Sequence, residues 1–241
     1  MERIERVSGY AAGAGEVSAR LAAVRARIER ACAATGRDPE DVAVLAVTKG
    51  FGAEAIEAAL AAGLNDIGEN YLQEAAPKFG QLAWPSGARR HFIGGLQRNK
   101  ARRVAEIFDV VQTVDRLSAA EALERGAAAL GKTLDALIQI NVAQDERAGA
   151  TPAEALELAR GLEAFHHLRL RGAMAVGPAD ASANADAFAT AAACFRLLRD
   201  RYPDARLLSL GMTADLEAAV AAGSTMVRVG TALFGPRPQE G

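Results

Sequence analysis

Eight short apolar runs, each followed by a segment with helical periodicity, constrain the fold of this chain more than any other feature. The runs predict strands at residues 42–47, 66–68, 91–94, 110–114, 136–142, 168–174, 207–209 and 226–229. Helices are predicted at residues 53–62, 73–79, 99–107, 117–130, 152–163, 185–201 and 214–222, with a short one after residue 230. Strict alternation of strands and helices is typical of a parallel sheet with right-handed crossovers. Eight such units in 241 residues predict a single (β/α)8 TIM barrel. An open doubly wound sheet is the alternative, but it more often has fewer strands.

One additional helix is predicted before the first strand. Its apolar side chains recur on one face, at Val17, Leu21, Val24, Ile28 and Cys32. Gly36 marks its end. The first 15 residues are small and weakly patterned, and we expect them to be flexible. Because no linker or change of composition divides the chain, residues 1–241 are interpreted as one domain.

The overall composition excludes several classes of function. A formal net charge of −2 offers no electrostatic footprint for nucleic acid. No apolar segment approaches the roughly 20 residues of a membrane helix. The charged N-terminus is not followed by the apolar core of a signal peptide, so we expect a cytoplasmic protein. Cys32 and Cys194 both fall in predicted helices, where we expect buried free thiols rather than a disulfide.

Two glycine-containing loops follow the seventh and eighth predicted strands. Barrels carry their functional sites at the C-terminal ends of the strands and often bind phosphate with these two loops. Gly211-Met212-Thr213 and Gly230-Thr231 offer small residues, hydroxyls and backbone N–H groups there, and each precedes a helix. Each loop is also compatible with an ordinary helix cap, but their occurrence together favours a phosphate site.

Lys49 leaves the first apolar run at the same end of the barrel. Taken alone, a lysine that ends a strand is commonly a solvated charge. In a barrel mouth with apolar walls it loses hydration, which lowers its pKa and leaves a neutral amine that can condense with an aldehyde. A phosphate site and a nucleophilic lysine together fit a phosphorylated aldehyde, and pyridoxal 5′-phosphate (PLP) is the ligand we predict. A class I-type aldolase that uses Lys49 without PLP is an alternative.

Six ordered blocks carry a family resemblance. They are AVTK (46–49), GENYLQE (68–74), HFIG (91–94), LQRNK (96–100), LSLGMT (208–213) and GSTMVRVGT (223–231). These blocks resemble the YggS/PROSC family of PLP homeostasis proteins, and the resemblance runs from about residue 42 to residue 235. The family has the fold of the N-terminal barrel of alanine racemase, so the resemblance implies a barrel like that of the fold type III PLP proteins.

The resemblance also implies roles for individual residues. Lys49 matches the lysine that forms the Schiff base with PLP, Asn70 matches a residue that lines the cofactor ring, and Arg228 matches the arginine that faces the pyridine nitrogen. The implied phosphate cup consists of Ser209, Met212, Thr213, Gly230 and Thr231.

Three positions depart from the family pattern. Gly95 stands where the family often has proline or histidine, and Thr213 stands where serine is usual, which keeps the hydroxyl. Arg147 stands where we expect a lysine. If that lysine is a second, transient PLP acceptor in relatives, this chain cannot use it, because arginine stays protonated and forms no imine.

The same residues favour a PLP carrier over an enzyme. Catalysis at Cα uses a protonated pyridine nitrogen as an electron sink, and a cationic Arg228 opposite that nitrogen should keep it unprotonated. Racemisation also needs an acid or base on each face of Cα. Lys49 could serve one face, whereas Tyr71 is interpreted as a packing residue at a helix start.

We therefore expect a monomeric, non-catalytic PLP-binding protein that takes part in intracellular PLP homeostasis. Apo-enzymes that require PLP are its expected partners, with no contact to nucleic acid or membrane. A PLP-dependent amino-acid racemase or lyase is the alternative.

Overall fold

Eight parallel strands close into a barrel in the computed structural model, which describes residues 13–143 and 148–237. The strands are β1 (Ala43–Val47), β2 (Asp66–Glu69), β3 (Arg89–Phe92), β4 (Val110–Val114), β5 (Leu134–Ile140), β6 (Leu168–Ala175), β7 (Leu207–Ser209) and β8 (Met226–Val229). Each strand pairs with its neighbours in sequence, and β8 pairs with β1 to complete the cylinder. The predicted (β/α)8 barrel is confirmed.

Helices follow the strands around the outside of the barrel, close to the predicted positions. They are α1 (Ala14–Ala33), α2 (Ala53–Ala61), α3 (Leu72–Gly80), α4 (Ala101–Ile107), α5 (Leu117–Ala128), α6 (Pro152–Leu162), α7 (Asn184–Arg201), α8 (Leu216–Ala221) and α9 (Thr231–Phe234). The predicted flexible stretch falls mostly on residues 1–12, outside the described part of the chain. Its last two residues belong to α1, which begins at Ala14.

The third strand is displaced from its predicted position. Strand β3 begins at Arg89 and ends at Phe92, two residues before the predicted bounds of 91–94. The prediction missed the first two residues of this strand because both are arginines and the prediction relied on apolar runs. The guanidinium of Arg89 pairs with the buried carboxylate of Asp135. Arg90 pairs with Asp109 at 2.8 Å, so both charges are satisfied without interrupting the ladder. Strand β5 (Leu134–Ile140) also lies two residues before its predicted bounds of 136–142, because the buried Asp135, with which Arg89 pairs, interrupts the apolar run at its start.

Alternate residues of β1 pack in two different environments. Val44 and Ala46 join the large core that the helices cover. Leu45 and Val47 instead pack with Met226 inside the cylinder. Side chains alternate between the faces of a strand, so every second position points inward. The next inward position lies two residues beyond the last residue of β1, at the mouth of the barrel.

Helix α1 packs its predicted apolar face against the barrel exterior and forms hydrogen bonds to the loop that follows β7. All five predicted residues of that face are buried. Arg27 donates to both carboxylate oxygens of Glu217 at 2.7 Å and to the carbonyl of Thr213 at 2.9 Å. The additional helix is therefore bonded to the loop that follows β7.

The expected state of both cysteines is confirmed, since Cys32 and Cys194 are buried free thiols. Burial raises the pKa of the Cys194 thiol to about 11, so the thiolate is disfavoured there. None of the helices in residues 13–143 and 148–237 is long and apolar enough to cross a membrane.

Candidate functional site

Lys49 occupies the inward position just beyond β1. Its side chain is half-buried, and loss of hydration lowers the pKa of its amine. The positive charges of Arg237 and Arg228 lower that pKa further, and the carboxylates of Glu69 and Glu74 oppose the shift. A larger fraction of the amine is therefore neutral than for a solvated lysine.

Arg228 is a buried cation in the same mouth. Only 5% of the residue is exposed, and its guanidinium donates to the Ser209 carbonyl at 2.8 Å, the Ser209 hydroxyl at 2.9 Å and the Ala175 carbonyl at 2.9 Å. No carboxylate of the described residues forms an ion pair with it. Burial lowers its pKa to about 10, opposed only by the charge of Asp215. A buried cation without a carboxylate partner favours an electron-rich group nearby.

The loop after β7 is held by bonds on both sides. The carbonyl of Gly211 accepts from the Arg228 backbone N–H at 3.0 Å. The N–H of Met212 donates to the Asp215 carboxylate at 2.6 Å, and Gly211 adopts a φ of +82° that favours glycine. Thr213 is half-buried at the end of this loop.

The loop after β8 approaches β1 closely. A Cβ on Gly230 would lie 3.2 Å from the Val47 carbonyl, two residues before Lys49. Thr231 is exposed and begins the short helix α9. Helices α8 and α9 have only 6 and 4 residues, so their dipoles add little, and an anion here would depend on hydroxyls and loop N–H groups.

Asn70 lies just beyond β2 against the loop after β3. The backbone of Gly94 comes so close that a Cβ there would lie 2.0 Å from the Asn70 carbonyl. The side-chain oxygen of Asn70 is buried and has no hydrogen-bond partner among the described residues. Buried polar atoms are normally paired, so this oxygen marks a place where a ligand would complete the site.

The structure thus brings the predicted residues to one end of the barrel with differing access. Ser209 is fully buried and bonded to Arg228, whereas 43% of Met212 is exposed. Tyr71 is 55% exposed, which does not match the packing role predicted for it. Gly95 has open space around it, so the family's larger residues would fit there. Arg147 lies outside the described residues.

Sequence reasoning missed the residues that support the site from behind. Asp215 holds the loop after β7 from the position just before α8; the predicted helix began at residue 214 and so hid this capping position. The sequence analysis also assigned no role to Glu69, Glu74 and Lys78. Glu69 could have been recognised as a candidate, because a carboxylate at the end of a buried strand is unusual.

A separate cavity of about 620 Å³ contains none of the predicted site residues. It is lined by Gln97, Arg98, Asn99, Arg116, Ala122 and Arg125. This cavity is therefore separate from the candidate site, which is defined by the side chains at the barrel mouth.

Comparison with known proteins places this barrel in a family. The model of the alanine racemase N-terminal domain matches residues 19–238. The pyridoxal phosphate homeostasis protein of Escherichia coli K12 is 45% identical over 229 residues, covering 92% of this chain and 97% of the relative. The protein of the same name from Pseudomonas aeruginosa is 43% identical over 222 residues, covering 92% and 96%.

Solved structures agree. PipY of Synechococcus elongatus PCC7942, determined with PLP bound, has a TM-score of 0.78 and 35% identity, covering 91% of this chain and 100% of PipY. Alanine racemase of Clostridium difficile 630 has a TM-score of 0.70 at 16% identity, covering 94% of this chain and 58% of the racemase, which shows a shared fold alone. The predicted resemblance is confirmed: the chain belongs to the family of pyridoxal phosphate homeostasis proteins, built on the barrel of the alanine racemase N-terminal domain.

Proposed function

We propose that this chain holds PLP as a Schiff base on Lys49 and takes part in intracellular PLP homeostasis. The observation that carries the proposal is a half-buried amine of lowered pKa that shares the barrel mouth with the buried cation Arg228. The names of the curated relatives and the PLP in the PipY structure support the same ligand. PLP supplies an aldehyde for the amine and a phosphate for the loops.

The chemistry of these residues fits each part of that ligand. The neutral Lys49 amine adds to the aldehyde carbon and water leaves, so the carbon–oxygen double bond is replaced by a carbon–nitrogen one. Asn70 would line the ring, where its unpaired oxygen can gain a partner. Arg228 would face the ring nitrogen. The phosphate would be held by Ser209, Met212, Thr213, Gly230 and Thr231.

A binding role without catalysis is part of the proposal. Arg228 stays cationic near neutral pH, since its pKa is about 10, and a cation opposite the ring nitrogen weakens the electron sink that chemistry at Cα requires. A monomeric cytoplasmic carrier, with residues 1–241 as one domain, would deliver PLP to apo-enzymes that need it.

The decisive experiment is borohydride reduction of the protein mixed with PLP, followed by peptide mapping. We expect the label on Lys49, and we expect the visible absorbance of the Schiff base to disappear in Lys49→Ala. Lys100→Ala is the matched control, because Lys100 is also half-buried after a strand, in the loop beyond β3. Label on another residue, or none, would overturn the proposal.

Catalysis is tested separately with the PLP-loaded protein. During incubation with L- or D-alanine in D₂O, we expect no exchange of the Cα proton for deuterium at a rate typical of an enzyme. Sustained deuterium uptake at Cα would refute the carrier interpretation and favour a racemase or lyase.

A further inference from the structure

The backbone around Lys49 forms a tight turn. The N–H of Phe51 donates to the Thr48 carbonyl at 3.1 Å, which places Lys49 and Gly50 at the two central positions. Gly50 has a φ of +75°, as the third residue of a type II turn requires. A turn of this kind fixes the direction in which the Lys49 side chain leaves the strand.

Helix α3 reaches this turn from outside with two charged side chains. The Lys78 ammonium donates to the Thr48 carbonyl at 3.1 Å, immediately before Lys49. The Glu74 carboxylate accepts from the Gly50 N–H at 2.8 Å, immediately after Lys49. Glu74 and Lys78 lie one helical turn apart, with 3.4 Å between their charged groups. Helix α3 is therefore hydrogen-bonded to the backbone on both sides of Lys49.

A second acidic group, on strand β2, holds the buried end of this contact. The Glu69 carboxylate is fully buried and accepts from the Thr48 hydroxyl at 2.7 Å and the Lys78 ammonium at 2.9 Å. Strand β2 thereby fixes both Thr48 and Lys78. Charge-assisted hydrogen bonds in a buried setting hold geometry more strongly than neutral ones.

We propose that Glu74 and Lys78 are positioning residues, which hold the turn so that the Lys49 amine stays at the mouth within reach of an aldehyde. The inference rests on the proposed function, since it assigns the supports of the same lysine. Both residues lie on the outer helix α3 rather than on a barrel strand. They act through the backbone of Thr48 and Gly50. The carboxylate of Glu74 also acts to raise the pKa of Lys49, against the net lowering that burial causes.

Glu74 offers the cleaner test, because 37% of its side chain is exposed and its removal leaves no buried charge. Glu74→Ala removes the acceptor of the Gly50 N–H, and Glu74→Gln keeps an acceptor oxygen but removes the charge. We expect Glu74→Ala to weaken PLP attachment to Lys49 about 10-fold, the value of one charge-assisted hydrogen bond, and Glu74→Gln to recover most of it. The matched control is Glu57→Ala, which removes an exposed carboxylate from neighbouring α2.

Two further readouts separate positioning from a general loss of structure. In the protein without PLP, hydrogen exchange at the Gly50 amide should speed up about 10-fold in Glu74→Ala and stay near wild type in Glu74→Gln. The pH midpoint of PLP attachment should fall in Glu74→Gln, because a charge that raises the Lys49 pKa is gone.

The outcomes distinguish this inference from the function on which it rests. If wild-type protein does not attach PLP at Lys49, the proposed function fails. If wild type attaches PLP and Glu74→Ala does so equally well, with an unchanged Gly50 exchange rate, the positioning role is overturned.

Discussion

Removing the ammonium of Lys78 tests how much the buried cluster behind the mouth contributes to stability. Its side chain is 11% exposed and that of Glu69 is not exposed at all. In Lys78→Met the Glu69 carboxylate keeps one donor in the described structure, the Thr48 hydroxyl. Breaking a buried ion pair by removing one partner costs about 3–5 kcal/mol, because the remaining charge is left uncompensated. We expect a loss of that size in the free energy of unfolding at pH 8.

The loss should depend on pH in a defined direction. Burial raises the pKa of Glu69 above its ordinary value of 4.5, and the charge and hydrogen bond of Lys78 oppose that shift. Without Lys78 the folded-state pKa rises further. Between the unfolded and folded values the folded state binds more protons, so the free energy of unfolding falls as pH rises. The penalty of Lys78→Met should therefore be smaller at pH 5 than at pH 8.

Urea denaturation at the two pH values measures the effect, and a double variant isolates its cause. Glu69→Gln combined with Lys78→Met removes the unpaired charge and should recover much of the lost stability. Arg103→Met is the matched control, since the exposed pair of Arg103 and Glu106 should contribute at most about 1 kcal/mol. A Lys78→Met penalty no larger than that of the control, or one independent of pH, would refute the reasoning.

Two further substitutions test the frame around the site. Burial disfavours ionised Asp109, but hydrogen bonds from Arg90 outweigh it and lower the pKa to about 2. Asp109→Asn should therefore reduce the free energy of unfolding by about 1–2 kcal/mol at pH 7 after allowance for solvent screening, and urea titrations should show the difference shrinking as pH falls from about 4 to 2. Gly94→Ala places a Cβ 2.0 Å from the Asn70 carbonyl, so it should cost about 1–3 kcal/mol of stability and weaken PLP binding. Gly95→Ala, which meets nothing within 4 Å, should do neither; equal effects of the two variants would contradict the predicted clash.

Sequence patterning identified all eight strands but placed β3 and β5 two residues too late, because each has a charged residue among its first two positions. Strands β1, β4 and β8 lie within a residue of their predicted bounds, because residues buried on both faces form continuous apolar runs. Strand β3 starts with Arg89 and Arg90, whose carboxylate partners lie on or near other strands. A local pattern contains no information about a partner that distant in sequence.

The polar chain inside the barrel is another feature that only packing produces. Gln112 donates to His91 Nδ1 at 2.9 Å, which leaves the proton on Nε2 to donate to Asp66 at 2.7 Å. These residues come from β4, β3 and β2, and their side chains meet because the strands are adjacent and in register. Read along the chain, His91 is only a polar residue in a short apolar run.

The sequence by itself determined the eight-unit barrel and the place of Lys49 at its mouth, because hydrophobic periodicity and strand direction are local properties of the chain. It also identified the glycine loops after β7 and β8. Only the tertiary structure decided that α3 contacts the turn around Lys49 on both sides. It also decided that, among the described residues, Arg228 has no carboxylate in an ion pair with it and the Asn70 side-chain oxygen has no hydrogen-bond partner. Desolvation and hydrogen bonding depend on which distant segments meet, and they meet here because the sheet closes β8 onto β1.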